Sequence, residues 1–465
     1  MSDPFPTLRC MIESLSTAAA PSTVRESVLS PGALRLATGL GVGPVGHLSH
    51  PRFFEGFLEH PVAAARGLLA VAAVARARYS TSGQAGFRDP VVTADGSSLR
   101  FESFSGCGGV HARLDLLPDG LDGETQQRGT TNVDVNLPLQ RALALVDGRD
   151  RLHVAVGSEE LTVTTPTASV TEAKVRLPPR WVRGFAEAAI SLAEMDLRAG
   201  VSAAEARGFL RGLPRGARQQ TLWVVPAGKG LRATTRPVPG AVCLAGPRRL
   251  EALDALLPLA SAVRLYAPPV TGGPASSAWE VELPGARFTL ALSPEPARGF
   301  SGEGGVLEVL AATEPGDDTT RVLDLLSWAP GLPLEDVADA LRLDAARTRR
   351  SLTELGTSGR VGYDLAAASY FHRELPFDPA RAERDNPRLH AARTLVAEGA
   401  VHARPDGVVT VRRPDGERRV RRSGAGLSCT CPWWVEHAGA RGPCKHVLAA
   451  LLVLRSMTSA PAVSS

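Results

Sequence analysis

Two short runs near the C-terminal end decide how this chain is read. They are Leu427-Ser428-Cys429-Thr430-Cys431-Pro432-Trp433-Trp434 and, after a gap, Gly442-Pro443-Cys444-Lys445-His446. Twelve residues, 432–443, separate Cys431 from Cys444. Residues two apart on a strand project to the same side, so Cys429 and Cys431 can grip one ion together. Gly442 and Pro443 mark a helix start and set Cys444 and His446 in its first turn. Backbone amides and the helix dipole favour thiolate over thiol there. Three thiolates and one imidazole make a closed tetrahedral shell, the make-up of a structural zinc site with no open position for water. The predicted ligands are Cys429, Cys431, Cys444 and His446, and the predicted cofactor is Zn2+. His437, inside the gap, is the competing imidazole. It has no neighbouring cysteine and falls in a Gly-containing stretch read as a loop.

Immediately before the first cysteine lies a basic hairpin. Residues 408–413 and 417–422 flank Pro414-Asp415-Gly416, a turn signal. From 404 to 422 there are seven Arg (404, 412, 413, 418, 419, 421, 422) against Asp406, Asp415 and Glu417. That difference of +4 equals the formal charge of the whole 465-residue chain, so the remainder balances to zero. One basic stretch on a balanced protein suggests a local anionic contact rather than a polycationic coat. Upstream, Pro387 opens a helix that Asn386 can cap, and Gly399 ends it.

The cysteine pattern C-x-C, a variable gap, then C-x-H before a short apolar run resembles the SWIM zinc finger over about 400–455. The match extends to Pro432 after the second cysteine and to the Cys444-Lys445-His446 triplet. The strand at 100–105 and the run Tyr370-Phe371-His372-Arg373 resemble bacterial SWIM zinc-finger proteins of this length. That resemblance implies DNA or a protein as ligand, partners such as a MoxR-type ATPase with a von Willebrand A protein, and no catalytic residues.

Further upstream, residues 321–373 read as three helices and a hairpin. Val322, Leu325 and Leu326 share one side of the first helix, over 321–329. Pro333 opens the second, with Glu335 and Asp336 in its first turn and a stripe of Val337, Ala340 and Leu341. Asp344 can cap the third, which carries Arg347, Arg349, Arg350, Leu352 and Leu355. Short strands follow at 360–363 and 369–371. This order resembles a winged helix-turn-helix, whose third helix enters a DNA groove. Its charges cancel, which suits a protein contact equally well.

Residues 89–312 alternate strands with a few helices. Strand-like runs are 99–104, 111–117, 152–156, 161–165, 263–267, 279–283 and 287–292. Two stretches share a layout: from Asn132 through a helix at 137–146 to Arg183-Gly184-Phe185, and from Val242 through a helix at 247–257 to Arg298-Gly299-Phe300. A duplicated α+β module is suggested, with a layout that resembles processivity-clamp folds. Cys107 lies in a Gly-rich turn near His111, read as a small thiol in a tight turn rather than a nucleophilic pair. The 129–136 run alternates as a half-buried strand with a solvated polar face. A helix over 60–79 starts at Pro61 and buries Leu68, Leu69, Val71 and Val74.

Length and composition agree with a multidomain α+β chain: 44% hydrophobic, 22% charged, and too long for one core. The expected divisions are an N-terminal helical region over 1–88 with its first thirty residues disordered, and an α+β region over 89–312. A winged-helix-like segment over 320–378, the zinc finger over 386–456 as a β-hairpin plus helix, and a disordered tail over 457–465 complete the chain. The apolar run 62–77 is broken by Arg66 and Arg76, so no segment reads as membrane-spanning, and no secretory signal is evident. Three of the six cysteines fall within sixteen residues, a metal site's distribution in a reducing compartment, and the protein is expected in the cytoplasm. Two functions follow. In the first, a zinc-stabilised nucleic-acid binder uses Arg347 and Arg350 of the third helix and Arg412, Arg413, Arg418, Arg419, Arg421 and Arg422 of the hairpin. In the second, a protein adaptor uses the same modules to hold a partner. No acid–base constellation points to an enzyme.

Overall fold

The computed structural model describes residues 52–79, 90–125, 128–175, 179–214, 220–269, 273–296, 299–300, 304–312, 317–327, 329, 331–375, 387–423, 426–437, 439 and 442–458, with four short strands between 28 and 47. The disorder expected of the first thirty residues falls outside them except at Val28–Ser30. The expected tail does so from residue 459, and residues 457 and 458 are helical.

An eight-stranded antiparallel sheet organises the chain. Its order is Gly129–Asn132, Val91–Ala94, Leu99–Phe104, Val110–Leu116, Ala286–Leu292, Ser277–Leu283, Ala262–Ala267 and Asp196–Ser202. The halves join where Leu114 pairs with Phe288. Strand alternation gives the sheet two unlike faces. Leu99 and Phe101 join one core with helix Pro61–Arg76, to which Ser103 donates at Val71 O, 2.8 Å. Gly67 lets that helix settle closely, since a Cβ there would lie 2.6 Å from Leu114. Phe104, from the other face, meets Trp181, Phe185, Ala188 and Leu192 of helix Pro179–Ala193, the spacing of one helical stripe. A second sheet pairs Arg52–Leu58 with Leu152–Gly157 and Leu121–Thr125.

Several expectations shift here. The helix expected at 247–257 is a 3-10 helix, Pro247–Leu253, and the one at 137–146 stops at Ala144. The polar face at 129–136 is not solvated: Thr130, Thr131 and Asn132 are buried. Neighbouring loops cover that edge, with Thr131 donating to Ser158 O at 3.0 Å and the Glu374 amide donating to Thr130 Oγ1 at 3.1 Å. His111 turns to Glu102, Nε2 to Oε1 3.2 Å, while Cys107 lies 3.4 Å from Ser105 Oγ.

Helices Asp317–Leu326, Leu334–Leu341 and Ala345–Thr357 precede the hairpin Val361–Asp364 with Ser369–His372. Pro333 ends a short strand, Leu332–Pro333, that pairs with Ser369 and Tyr370, so the second helix begins one residue later than expected. Asp344 caps the third, accepting from the Arg347 amide at 2.8 Å. The hairpin is docked on the polar face of the large sheet. Arg113 donates to Tyr363 O at 2.6 Å, Arg287 reaches Asp364 at 2.6 Å, and Arg373 reaches Glu102 at 2.8 Å. Phe371 lies under the Arg100 guanidinium, 4.2 Å from it, over a Gly362 whose Cβ would collide with the ring.

At the C-terminal end, helices Pro387–Ala397 and Lys445–Thr458 pack on a four-stranded sheet of Val401–Ala403, Val409–Arg413, Gly416–Ser423 and Gly426–Cys429. Leu389, Leu395, Val411 and Leu448 form its core, which Leu307 and Ala311 of helix Gly305–Ala312 enter.

Candidate metal centre

Two elements bring the predicted ligands together. The strand Gly426–Cys429 ends on Cys429, opposite Val420, and the chain turns so that Cys431 precedes the short helix Pro432–His437. Cys444 stands one residue before helix Lys445–Thr458, not inside its first turn as expected. The outcome for its charge is the same, because the Val447 amide points at Cys444 Sγ, 3.5 Å away, as a cap donor does. The Trp434 amide donates likewise to Cys431 Sγ at 3.4 Å.

One ligand atom from each of Cys429, Cys431, Cys444 and His446 lies within 4.8 Å of the others, and all four residues are buried. His446 presents Nδ1, 3.8 Å from Cys429 Sγ and 4.0 Å from Cys444 Sγ. An ion with bonds of ~2.0–2.3 Å in a tetrahedral shell holds its ligands ~3.5–3.8 Å apart. The cluster therefore fits zinc with little adjustment. Its electrostatics favour a cation too. A hydrogen bond from Cys429, helped by His446 and the Val447 amide, pulls the Cys444 thiol down to about 4, while Cys429 is pushed up by its Cys444 neighbour and by burial. Zinc bound here would displace the remaining thiol protons.

His437 is elsewhere. It ends the helix Pro432–His437 rather than sitting in a loop, and its ring meets Trp433 edge-on, centroids 4.8 Å apart. Arg388 lies over the same Trp433 ring at 4.9 Å. Trp433 is thus occupied by packing around the zinc loop.

The basic hairpin is not one patch. Strand alternation divides it. Arg418 and Arg422 share a face with buried Val420, and Arg413 shares one with buried Val411, so these three lie on the metal side. Arg412, Arg419 and Arg421 point the other way, where Glu417 meets Arg419 at 3.1 Å and Arg412 at 4.0 Å. Arg421 and Arg422 have no acidic partner among the described residues. On helix Ala345–Thr357, Arg347 is held by Asp318 at 2.6 Å and Arg350 is exposed. Thr348, Ser351, Leu352 and Leu355 are buried, and the helix lies against Pro179–Ala193. Sequence reasoning missed two cations beside the centre, Arg388 and Lys445. Lys445 was visible inside the Cys444-Lys445-His446 triplet, whereas nothing in the sequence links Arg388 to residues more than forty positions away.

With the geometry established, the comparisons with known proteins agree at this end of the chain. The SWIM zinc finger family model matches residues 411–455, so this segment is a SWIM zinc finger. None of the curated proteins matches the chain. Among solved structures, a proliferating cellular nuclear antigen from Entamoeba histolytica is similar at 11% identity and a TM-score of 0.34, covering 53% of this chain and all of that one. A PCNA2–PCNA3 complex from Sulfolobus tokodaii is similar at 8% identity and 0.38, covering 52% of this chain and 99% of its own. Among the described residues, no helix is long and apolar enough to cross a membrane.

Proposed function

We propose that this SWIM zinc-finger chain is a non-catalytic nucleic-acid binder of the cytoplasm, with one zinc ion fixing a basic hairpin in the orientation that contacts phosphates. The observation that carries this reading is a strand pairing. Cys429 pairs directly with Val420 in the strand that bears Arg418, Arg419, Arg421 and Arg422. A metal held at Cys429 therefore sets the strand's angle and twist, and cations without acidic partners at its end remain available to an anion. Phosphate contacts of this kind position a protein on nucleic acid without reading its sequence.

The helical segment ahead of it is read as a winged helix, and DNA as the ligand class. Its hairpin is buried against the sheet and Arg347 is spent on Asp318, which leaves the primary contact to the C-terminal module. Reversing Arg418, Arg419, Arg421 and Arg422 to Glu should abolish binding to DNA in a titration at two salt concentrations while zinc content stays at one per chain. A wild-type protein with no salt-sensitive affinity for DNA or RNA would move the assignment to the adaptor role, with a MoxR-type ATPase and von Willebrand A system as its setting.

A further inference from the structure

Beside the metal centre opens a cleft of about 470 Å³. Four cations line it, and each comes from a different place in the chain: Arg388 from helix Pro387–Ala397, Arg413 and Arg418 from either side of the hairpin turn, and Lys445 from the start of the last helix. The wall is completed by Trp433 and by the ligands Cys431, Cys444 and His446. Asp415 is the single acid in the lining, shared between Arg418 at 3.2 Å and Arg413 at 3.5 Å. Arg388 is anchored by donation to Pro443 O at 2.9 Å and by its place over the Trp433 ring. Lys445 has no acidic partner among the described residues and is only partly exposed.

Such convergence runs against the repulsion of like charges, and a concave wall of one sign concentrates counter-ions. Four cations against one carboxylate leave the lining at +3, while a zinc ion with three thiolates contributes −1. Planar guanidinium groups match a phosphate's oxygens in pairs, and the part of Trp433 that lines the cleft gives it an apolar side beside the charges. The volume is that of a small-ligand site, large enough for one nucleotide unit. A duplex, whose phosphates lie on a convex surface, cannot enter a recess of this size.

The geometry points to this cleft as a binding site for one nucleotide of a single-stranded nucleic acid, its phosphodiester held by Arg413, Arg418 and Lys445 against the zinc knuckle. This rests on the nucleic-acid reading above and narrows it from the whole hairpin to its metal-side face. The outer arginines, Arg412, Arg419 and Arg421, are then bystanders.

The test compares two triple variants of the full chain, R413Q/R418Q/K445Q in the cleft and R412Q/R419Q/R421Q on the outer face. Binding to a single-stranded oligonucleotide and to its duplex is titrated across a salt series, and zinc is measured in each protein. The cleft variant should keep its zinc, lose about tenfold or more in single-strand affinity, and flatten the log–log salt slope by about 0.7 per lost contact. The outer variant should stay within about twofold of wild type. Should K445Q disturb the metal, R413Q/R418Q alone carries the test. Loss in the outer variant with a normal cleft variant overturns the cleft and leaves the broader reading standing, as does a wild type that prefers duplex. A wild type that binds polyglutamate but no nucleic acid at low salt overturns both.

Discussion

Arginine does opposite work in two regions of this molecule. Under the docked hairpin, Arg100, Arg113, Arg287 and Arg373 meet Asp95, Glu102, Asp115 and Asp364 in a layer almost closed to water, each guanidinium with a carboxylate in reach. On the zinc-finger hairpin, six arginines face two acids in solvent. The difference follows from desolvation. A buried guanidinium left without acceptors costs several kcal/mol, so burial demands partners, carboxylates in this layer and backbone carbonyls around the equally buried Arg249, whereas an exposed one needs none and can keep its charge for a ligand. Acceptors within reach, not the residue type, separate a staple from a contact.

The largest expected effect breaks the C-terminal half of the comparison. Cys444→Ser should release the metal and unfold the segment around 409–458, because structural zinc sites of this type carry ~10 kcal/mol or more of apparent folding free energy. Strands Leu99–Phe104 and Val110–Leu116 should keep their protection in hydrogen exchange. Full zinc occupancy in a Cys429→Ser, Cys431→Ser double variant would show that the metal sits elsewhere. His446→Ala should cost far more zinc than His437→Ala, whose ring is turned to Trp433.

A middle-sized effect sharpens the other half. Arg113 is buried between Asp115, 2.9 Å away, and Asp364, 3.5 Å away. Arg113→Ala should destabilise the chain by about 3 kcal/mol in denaturant unfolding, since it takes one of two guanidinium partners from each of two buried carboxylates. Arg421→Ala with Arg422→Ala should change stability by no more than ~0.5 kcal/mol each, as surface positions do. Equal costs would erase the distinction between the two arginine sets.

The smallest expected effect is in acid. Burial would raise the Asp364 carboxyl, but Arg113 and Arg287 outweigh it and hold it at about 2, below its ordinary value of 3.8. A depressed folded value means that the group's stabilisation is complete above pH ~4 and drains away as pH falls through 2. From the size of the shift it is about 2 kcal/mol. Glu102, held below the usual carboxylate range mainly by Arg373 against its burial, titrates in the same sense. Asp364→Asn should flatten the dependence of unfolding free energy on pH below 4, and an unchanged dependence would show that the docked hairpin does not depend on this ion pair.

What the sequence by itself determined is what local chemistry carries. Cysteine and histidine spacing sufficed for the metal cluster, since the C-x-C pair where strand Gly426–Cys429 turns off and the C-x-H pair at the start of the last helix each bring two ligands together within a few residues. Period-two runs located five strands of the large sheet, Leu99–Phe104, Val110–Leu116, Ala262–Ala267, Ser277–Leu283 and Ala286–Leu292, to within a residue or two but missed Val91–Ala94 and Asp196–Ser202, while Asp344 marked its helix start, because capping and alternation are decided by near neighbours. Only the tertiary structure decided which arginines are free. Arg100 and Arg113 look no different in sequence from Arg421 and Arg422, yet the first two are closed in by carboxylates as distant as Asp364. The solvated face expected at 129–136 failed for the same reason, since loops from 158 and 374 cover it. The metal-side cleft also needed the fold, with Arg388 and Arg413 brought beside Lys445. Pairing across such separations depends on which faces the sheets and helices bury together, and no local pattern records that.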